Sequence, residues 1–315
     1  QDRMNAHDTQ RAAAPRTDDQ PMTLSDFALY AVLVGIWGGS FIAIEFQLGV
    51  VANEVSILWR YLMAAIAMTG VCLIAKRRMR GFSPADHLHF VALGAFFFSF
   101  NYILIYRAQI ELTSGLAAIT FTMALFFTTL NARIFLGASL NPRIIVGGVV
   151  GVAGLAVLFG DSLLQVGVDA GTFVGLGCML GSAYVVSLAT IVTAKLNERR
   201  VPSLQANAWG MIYGAGFVMI YVLALGREFT FEWTFAYVAS LVYLTFPAGV
   251  LAFIIYFSLV ARIGPARSSY FTLMSPMVAI VLSVLIEGLP VTLALAGGVL
   301  AILAGNFIAM RARSA

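Results

Sequence analysis

From Asp26 onward the chain alternates apolar stretches of 19–28 residues with short polar breaks. Stretches of this length are too long for strands and too continuous for the amphipathic helices of a water-soluble domain, so they read as membrane-crossing helices. The pattern predicts ten of them, at 27–46, 55–75, 88–107, 112–136, 143–161, 172–194, 204–226, 235–261, 267–286 and 289–310. Residues 1–23 are polar, carry charges of both signs and hold no apolar run, which predicts a disordered tail over 1–25.

Composition sharpens this picture. Of 315 residues, 60% are hydrophobic and 11% charged, where a soluble domain needs about 25% charged. The solvent for most of the surface is therefore lipid, and ten spans leave no room for a separate catalytic domain. The net charge of +4 does not point to nucleic acid, because the basic residues are scattered in small groups between apolar runs. Sorted by side of the membrane, fifteen Lys and Arg fall with the two termini and two, Arg107 and Arg227, fall opposite, while Arg60 and Arg133 lie within spans. That bias predicts cytoplasmic termini. Cys72 and Cys178 sit inside apolar runs without metal-ligating neighbours, so neither a disulfide nor a metal site is expected, and no cofactor.

The chain also repeats itself. Gly147-Gly148-Val149 recurs as Gly297-Gly298-Val299, and Gly35, Gly39 and Ser40 match Gly177, Gly181 and Ser182. The segment from Thr113 to Ala118 occupies the place before the fourth span that Gly264 to Ser269 occupies before the ninth. Two five-span halves follow, 26–161 and 172–311. Since five is odd, the second half enters the membrane inverted, and a substrate site is expected near the midplane between the halves. The expected fold class is thus an all-α integral membrane protein of ten transmembrane helices in two inverted five-helix repeats.

An intramembrane enzyme would need a nucleophile with a base, or a metal cluster, at membrane depth. His7, His87 and His89 lie in the tail and a loop, and no HExxH or GxSxG occurs, so an enzyme is not expected. A proton or sodium relay needs a carboxylate deep in the bilayer. Glu45, Glu54, Glu111, Asp161, Asp169, Glu228, Glu232 and Glu287 all fall at span ends or in loops on the external side, as solvated interfacial groups would. Arg60 has two readings: it snorkels outward towards Glu54 or Glu45 as a charge pair, or it gates or grips a substrate carboxylate.

Polar aromatics at depth need a partner or a wet cavity. Phe98, Tyr102 and Tyr106 recur every four residues, forming a stripe beside Asn101. Tyr106 fits the outer aromatic belt equally well. Trp37, Ser40, Tyr184, Tyr243, Pro247 and Pro276 share that depth in both halves. Packing explains any one of them; together they predict a charge-poor cavity suited to apolar or aromatic solutes. Gly147, Gly151 and Gly154, with Gly297, Ala301 and Gly305, instead predict close packing of the fifth and tenth spans, outside the cavity.

The segment Gly35-Ile36-Trp37-Gly38-Gly39-Ser40-Phe41 resembles the W-G-x-S-F signature of the EamA-type drug/metabolite transporter superfamily. Arg262-Ile263-Gly264-Pro265-Ala266, then Ser275-Pro276 and Glu287, resembles its recurring fourth-helix pattern, and the likeness covers 26–311. It implies a basket of the first, third, fourth, sixth, eighth and ninth helices around a cavity, a bacterial inner-membrane location, and export of amino acids or similar metabolites. The first half departs from the pattern, with Leu125 or Ala124 and Ala138 where relatives carry Pro and Glu, so a symmetric mechanism is not implied. The phenol-rich third span and charge-poor cavity are most similar to the aromatic amino-acid exporters of the YddG type. The first helix lacks the mid-span glutamate of the small multidrug antiporters, and only Arg60 and Arg133 could hold the anionic substrates of nucleotide-sugar carriers. The expectation is a facilitated exporter of aromatic and other neutral amino acids working by alternating access. A proton-coupled drug or metabolite carrier, and more remotely a channel or scaffold, are the alternatives. The partners expected are a small-molecule solute and the bilayer, with no nucleic acid; a monomer suffices.

Overall fold

The computed structural model describes residues 22–138, 142–160, 170–268 and 271–311. Among the described residues the regular structure is helical throughout. The helices are α1 (Leu24–Glu45), α2 (Asn53–Ile74), α3 (Pro84–Ala95), α4 (Asn101–Gln109), α5 (Ser114–Phe121), α6 (Ala124–Leu136) and α7 (Pro142–Leu158), followed by α8 (Ala170–Glu198), α9 (Ser203–Ala224), α10 (Phe235–Thr245), α11 (Ala252–Ser268), α12 (Phe271–Ile286) and α13 (Leu293–Arg311). A π turn at Phe96–Phe100 joins α3 to α4, and another at Pro247–Leu251 joins α10 to α11.

Among the described residues seven stretches are long and apolar enough to cross a membrane: Leu24–Glu45, Asn53–Ile74, Pro84–Gln109, Ser114–Leu136, Ala170–Glu198, Ser203–Ala224 and Phe235–Val260. The remaining three predicted spans appear as the shorter apolar helices Pro142–Leu158, Phe271–Ile286 and Leu293–Ala309. Large apolar side chains such as Ile66, Ile74, Leu285 and Leu293 stand exposed on the outside, the reverse of a soluble protein and the expected face towards hydrocarbon. The chain is a multi-pass membrane protein.

Helix ends follow local chemistry. Thr23 and Ser83 cap α1 and α3 in reciprocal boxes with Asp26 and Asp86. The predicted tail therefore ends earlier than residue 25, because Thr23 and Asp26 already build the start of α1; residues 1–21 lie outside the described residues, as do Asp161 and Asp169. Both capping carboxylates are shared with a distant arginine, Asp26 with Arg262 at 3.3 Å and Asp86 with Arg199 at 2.6 Å.

The closest helix pairing is α7 on α13. A Cβ added at Gly154 would lie 2.8 Å from Ile302 N and 2.9 Å from Gly298 O, so only glycine allows the approach. Elsewhere α2 packs on α9, α1 on α12, and α8 on both α4 and α6.

Candidate functional site

Two groups of the expected site residues assemble, and a chain of rings joins them. The first group surrounds the π turn at Pro247. Proline has no N–H for the carbonyl four residues back, and the helix resumes when Leu251 N reaches Phe246 O at 2.8 Å. Within this turn Ala248 O accepts the Trp37 indole N–H at 3.3 Å. Tyr243 donates its hydroxyl proton to Ile36 O at 2.8 Å, and Gly39 makes the room, since a Cβ there would sit 2.7 Å from that hydroxyl oxygen. The Trp37 ring lies 4.5 Å from Phe271, 5.7 Å from Phe253 and 5.8 Å from Tyr256. Pro276 is buried in α12 next to Ser275, whose carbonyl lies against Gly38. Ser40 is half-buried and turns its hydroxyl back to Trp37 O, which ties it to its own helix.

The second group gathers where α2 meets α4. Tyr61 touches both Phe98 (5.6 Å) and Tyr102 (5.2 Å), so these two stay on one side of the helix although the π turn at Phe96 alters the four-residue spacing. Tyr106 is wholly buried and donates to Gln47 Oε1, which removes it from an interfacial belt. Asn101 accepts a 2.7 Å hydrogen bond from Ser182 on α8 and donates to Phe97 O at 3.4 Å across the π turn. Phe253 links the groups, at 5.7 Å from Trp37 and 6.1 Å from Phe98.

Four expected residues go elsewhere. Tyr184 is 42% exposed, and its ring meets Phe127 edge-on at 5.6 Å, away from the ring chain. Arg60 does not snorkel: it is 2% exposed, with its guanidinium carbon 4.2 Å from the Tyr102 ring centre and 5.2 Å from that of Tyr61. Glu54 faces Arg227 at 3.7 Å instead, and Glu45, half-buried at the end of α1, keeps a buried Oε2 without a partner. The expected Arg60–Glu54 or Arg60–Glu45 charge pair is therefore absent, because burial between two phenol rings holds the guanidinium inward.

Glu287 is also more than a solvated interfacial group. Its carboxylate accepts the Ser114 N–H at 2.9 Å and the Ser114 hydroxyl at 2.5 Å, capping the start of α5 from α12. Gln47 and Gln109 are functional-site neighbours that the apolar runs missed, since those runs stop at 46 and 107. Gln109 donates to Phe41 O at 2.9 Å. For Gln109 the available signal was its place one turn beyond the buried Tyr106.

A family model described as the EamA-like transporter family matches residues 27–160 and 173–311. The chain is 22% identical over 247 residues to an uncharacterized transporter, YoaV, of Bacillus subtilis, covering 78% of this chain and 82% of that protein. It is 28% identical over 283 residues to a probable terminal-alkyne amino-acid exporter of Streptantibioticus cattleyicolor, covering 87% and 91%. One protein of known crystal structure superposes with a TM-score of 0.65 at 18% identity, over 92% of this chain and 98% of the other, a likeness of fold.

Proposed function

The chain belongs to the EamA-like transporter family, and from that premise we propose that it exports neutral amino acids, aromatic ones included, by alternating access and down the solute's own gradient. The observation that carries this reading is the pair of π turns, which begin at Phe96 and Pro247, 151 residues apart. Each interrupts its helix beside the ring chain running from Trp37 through Phe253, Phe98 and Tyr61 to Tyr102. Broken helices at matched positions in two halves are the usual walls of a transporter's midplane site, where irregular backbone borders a cavity.

Packing supports an inverted duplication of ten helices. Helix α1 lies on α12 as α8 lies on α6, and the matched pairs α2 with α9 and α7 with α13 lie against each other. Trp37, Tyr102, Tyr106, Tyr243, Pro247 and Pro276 then shape the route, with Ser40 and Asn101 setting helix geometry and Tyr184 at its margin. The name of the Streptantibioticus relative supports an amino-acid solute, and the basic bias supports cytoplasmic termini in a bacterial inner membrane. Passive operation is supported by the described carboxylates, which lie at helix ends or in loops and away from the ring chain.

Counterflow tests this. Proteoliposomes preloaded with unlabelled phenylalanine or leucine are expected to take up label transiently, and an imposed pH gradient or potential to give no sustained uphill uptake. Sustained accumulation driven by pH would establish a proton-coupled carrier; no counterflow with any of the twenty amino acids would overturn the solute assignment.

A further inference from the structure

Arg60 is a buried charge without a counter-ion. Among the described residues no carboxylate comes within ion-pairing distance of it, since Glu54 turns to Arg227, Glu111 to Arg107 and Glu287 to Ser114. Two of its nitrogens, Nε and Nη1, are buried and have no hydrogen-bond partner. The rings of Tyr61 and Tyr102 offset part of the charge through their faces, but a ring face accepts none of the N–H groups lying in the guanidinium plane.

The surroundings hold the same imbalance. Tyr106 lies within hydrogen-bonding reach of Arg60 and gives its own proton to Gln47 Oε1, which leaves Gln47 Nε2 buried and unpartnered as well. Arg60 Nε, Arg60 Nη1 and Gln47 Nε2 are thus three buried donor nitrogens without a partner on either side of Tyr106. A structural arginine in a membrane protein is expected to be paired. One that carries unspent donors and a net positive charge is a receptor for an anion with two oxygens.

We propose that this cluster binds the carboxylate of the transported solute, with Arg60 as the charged fork, Gln47 Nε2 as the lateral donor, and Tyr61 and Tyr102 holding the guanidinium flat. Tyr102 is the half-buried member of the cage, so its displacement uncovers the site, and the apolar part of the solute lies along Phe98 and Phe253 towards Trp37. The inference rests on the solute-transport reading and names the group by which the solute is held. It disfavours amines, which bring no acceptor, and amides, which bring one uncharged oxygen where the fork takes a charged pair.

The test uses the purified full-length protein in detergent and reads ligand-induced thermal stabilisation with three probes of one shape: leucine, leucinamide and 4-methylpentanoate. For the wild type, leucine and 4-methylpentanoate are expected to stabilise, and leucinamide to require at least about thirtyfold more ligand for the same shift. Arg60→Met should abolish the preference for the carboxylates, Arg60→Lys should weaken it because a point charge replaces a fork, and Gln47→Leu should weaken it less. Where Arg60→Met does not fold, the wild-type comparison of acid with amide decides alone. Stabilisation by 4-methylpentanoate without leucine would remove the amino-acid reading and leave the carboxylate site standing. Equal stabilisation by leucinamide, or none by either carboxylate, would overturn the site.

Discussion

Two adjacent glycines with opposite expected behaviour measure how closely α7 and α13 approach. A Cβ on Gly298 would lie 2.8 Å from Leu158 Cβ and 2.9 Å from Gly154 O, whereas one on Gly297 meets nothing nearer than Val157 Cγ1 at 3.9 Å. Ordinary contact begins at 3.4 Å, so Gly298→Ala requires a separation of about half an ångström between two backbones. The helices cannot separate there alone. Gly305 is held just as tightly, its added Cβ falling 2.8 Å from Gly151 N, so the strain spreads along the whole contact. Overpacking of this kind costs about 1–3 kcal/mol. The gain from replacing a helical glycine by alanine, up to about 1 kcal/mol, applies to both positions and cancels in their comparison. Gly298→Ala should therefore unfold at a clearly lower temperature than Gly297→Ala, which should match or exceed the wild type. Thermal unfolding of the purified variants in one detergent measures this. Equal midpoints for the two variants would refute backbone-to-backbone contact between α7 and α13.

Other consequences are open to test in the same material. Asn101→Ala and Ser182→Ala should couple in a double-mutant cycle by about 0.6 kcal/mol, and by no more than about 1.7, because the 2.7 Å bond between α4 and α8 competes with other partners in the unfolded chain. Trp37→Phe keeps the ring contacts but loses the bond to Ala248 O, so counterflow should fall roughly fivefold. Trp59→Phe, whose indole donates to Thr230 O at 3.0 Å near the ends of α2 and α10, should leave the rate unchanged. Single cysteines at 228 and 198 should react with an impermeant reagent on intact cells only at 228, and labelling at 198 would reverse the orientation read from the basic residues.

The helices were legible because lipid imposes one rule over many residues: twenty consecutive apolar positions can do little else. The same rule conceals interruptions. Nothing in Phe96–Phe97–Phe98–Ser99–Phe100 marks a π turn, since every residue there suits an α-helix; the cause is tertiary, with Phe98 packed on Gly214, where an added Cβ would lie 2.5 Å from the phenylalanine Cβ. At Pro247 the break was readable, because a missing N–H is written in the residue itself. The glycines of α7 and α13 were readable for the same reason: absence of a side chain has few uses in lipid other than close approach.

Site residues divide along that line. Trp37, Tyr102 and Pro276 were nominated from depth alone, since an indole, a phenol or a proline at the midplane needs a partner wherever the neighbours lie. Of the two readings of Arg60 the sequence could not choose, because snorkelling depends on what surrounds the stem, and Tyr61 beside it belongs to a face that only α4 completes. Gln47 was missed because it falls one residue beyond an apolar run, yet Tyr106 draws it into the buried cluster.

Among the described carboxylates the energetics of transport narrow to one once commitments are compared, since Glu198 and Glu228 are exposed and Glu232 accepts the Thr234 hydroxyl. Asp26 and Asp86 cap their own helices and face Arg262 and Arg199, Glu54 faces Arg227, Glu111 faces Arg107, and Glu287 caps α5 through Ser114. Each of these already serves a donor, a helix start or an arginine. Glu45 differs. Its Oε2 is buried without a partner, and Glu287 lies near enough to repel it. Yet Glu45 is tied neither to the ring chain nor to Arg60, the two features through which a solute would be felt, so a proton there has no described route by which to favour one state of the loaded carrier over the other. The passive counterflow proposed above rests on a separation within the molecule: the carboxylate with an unpartnered oxygen and the arginine proposed to bind the solute are different residues on different contacts.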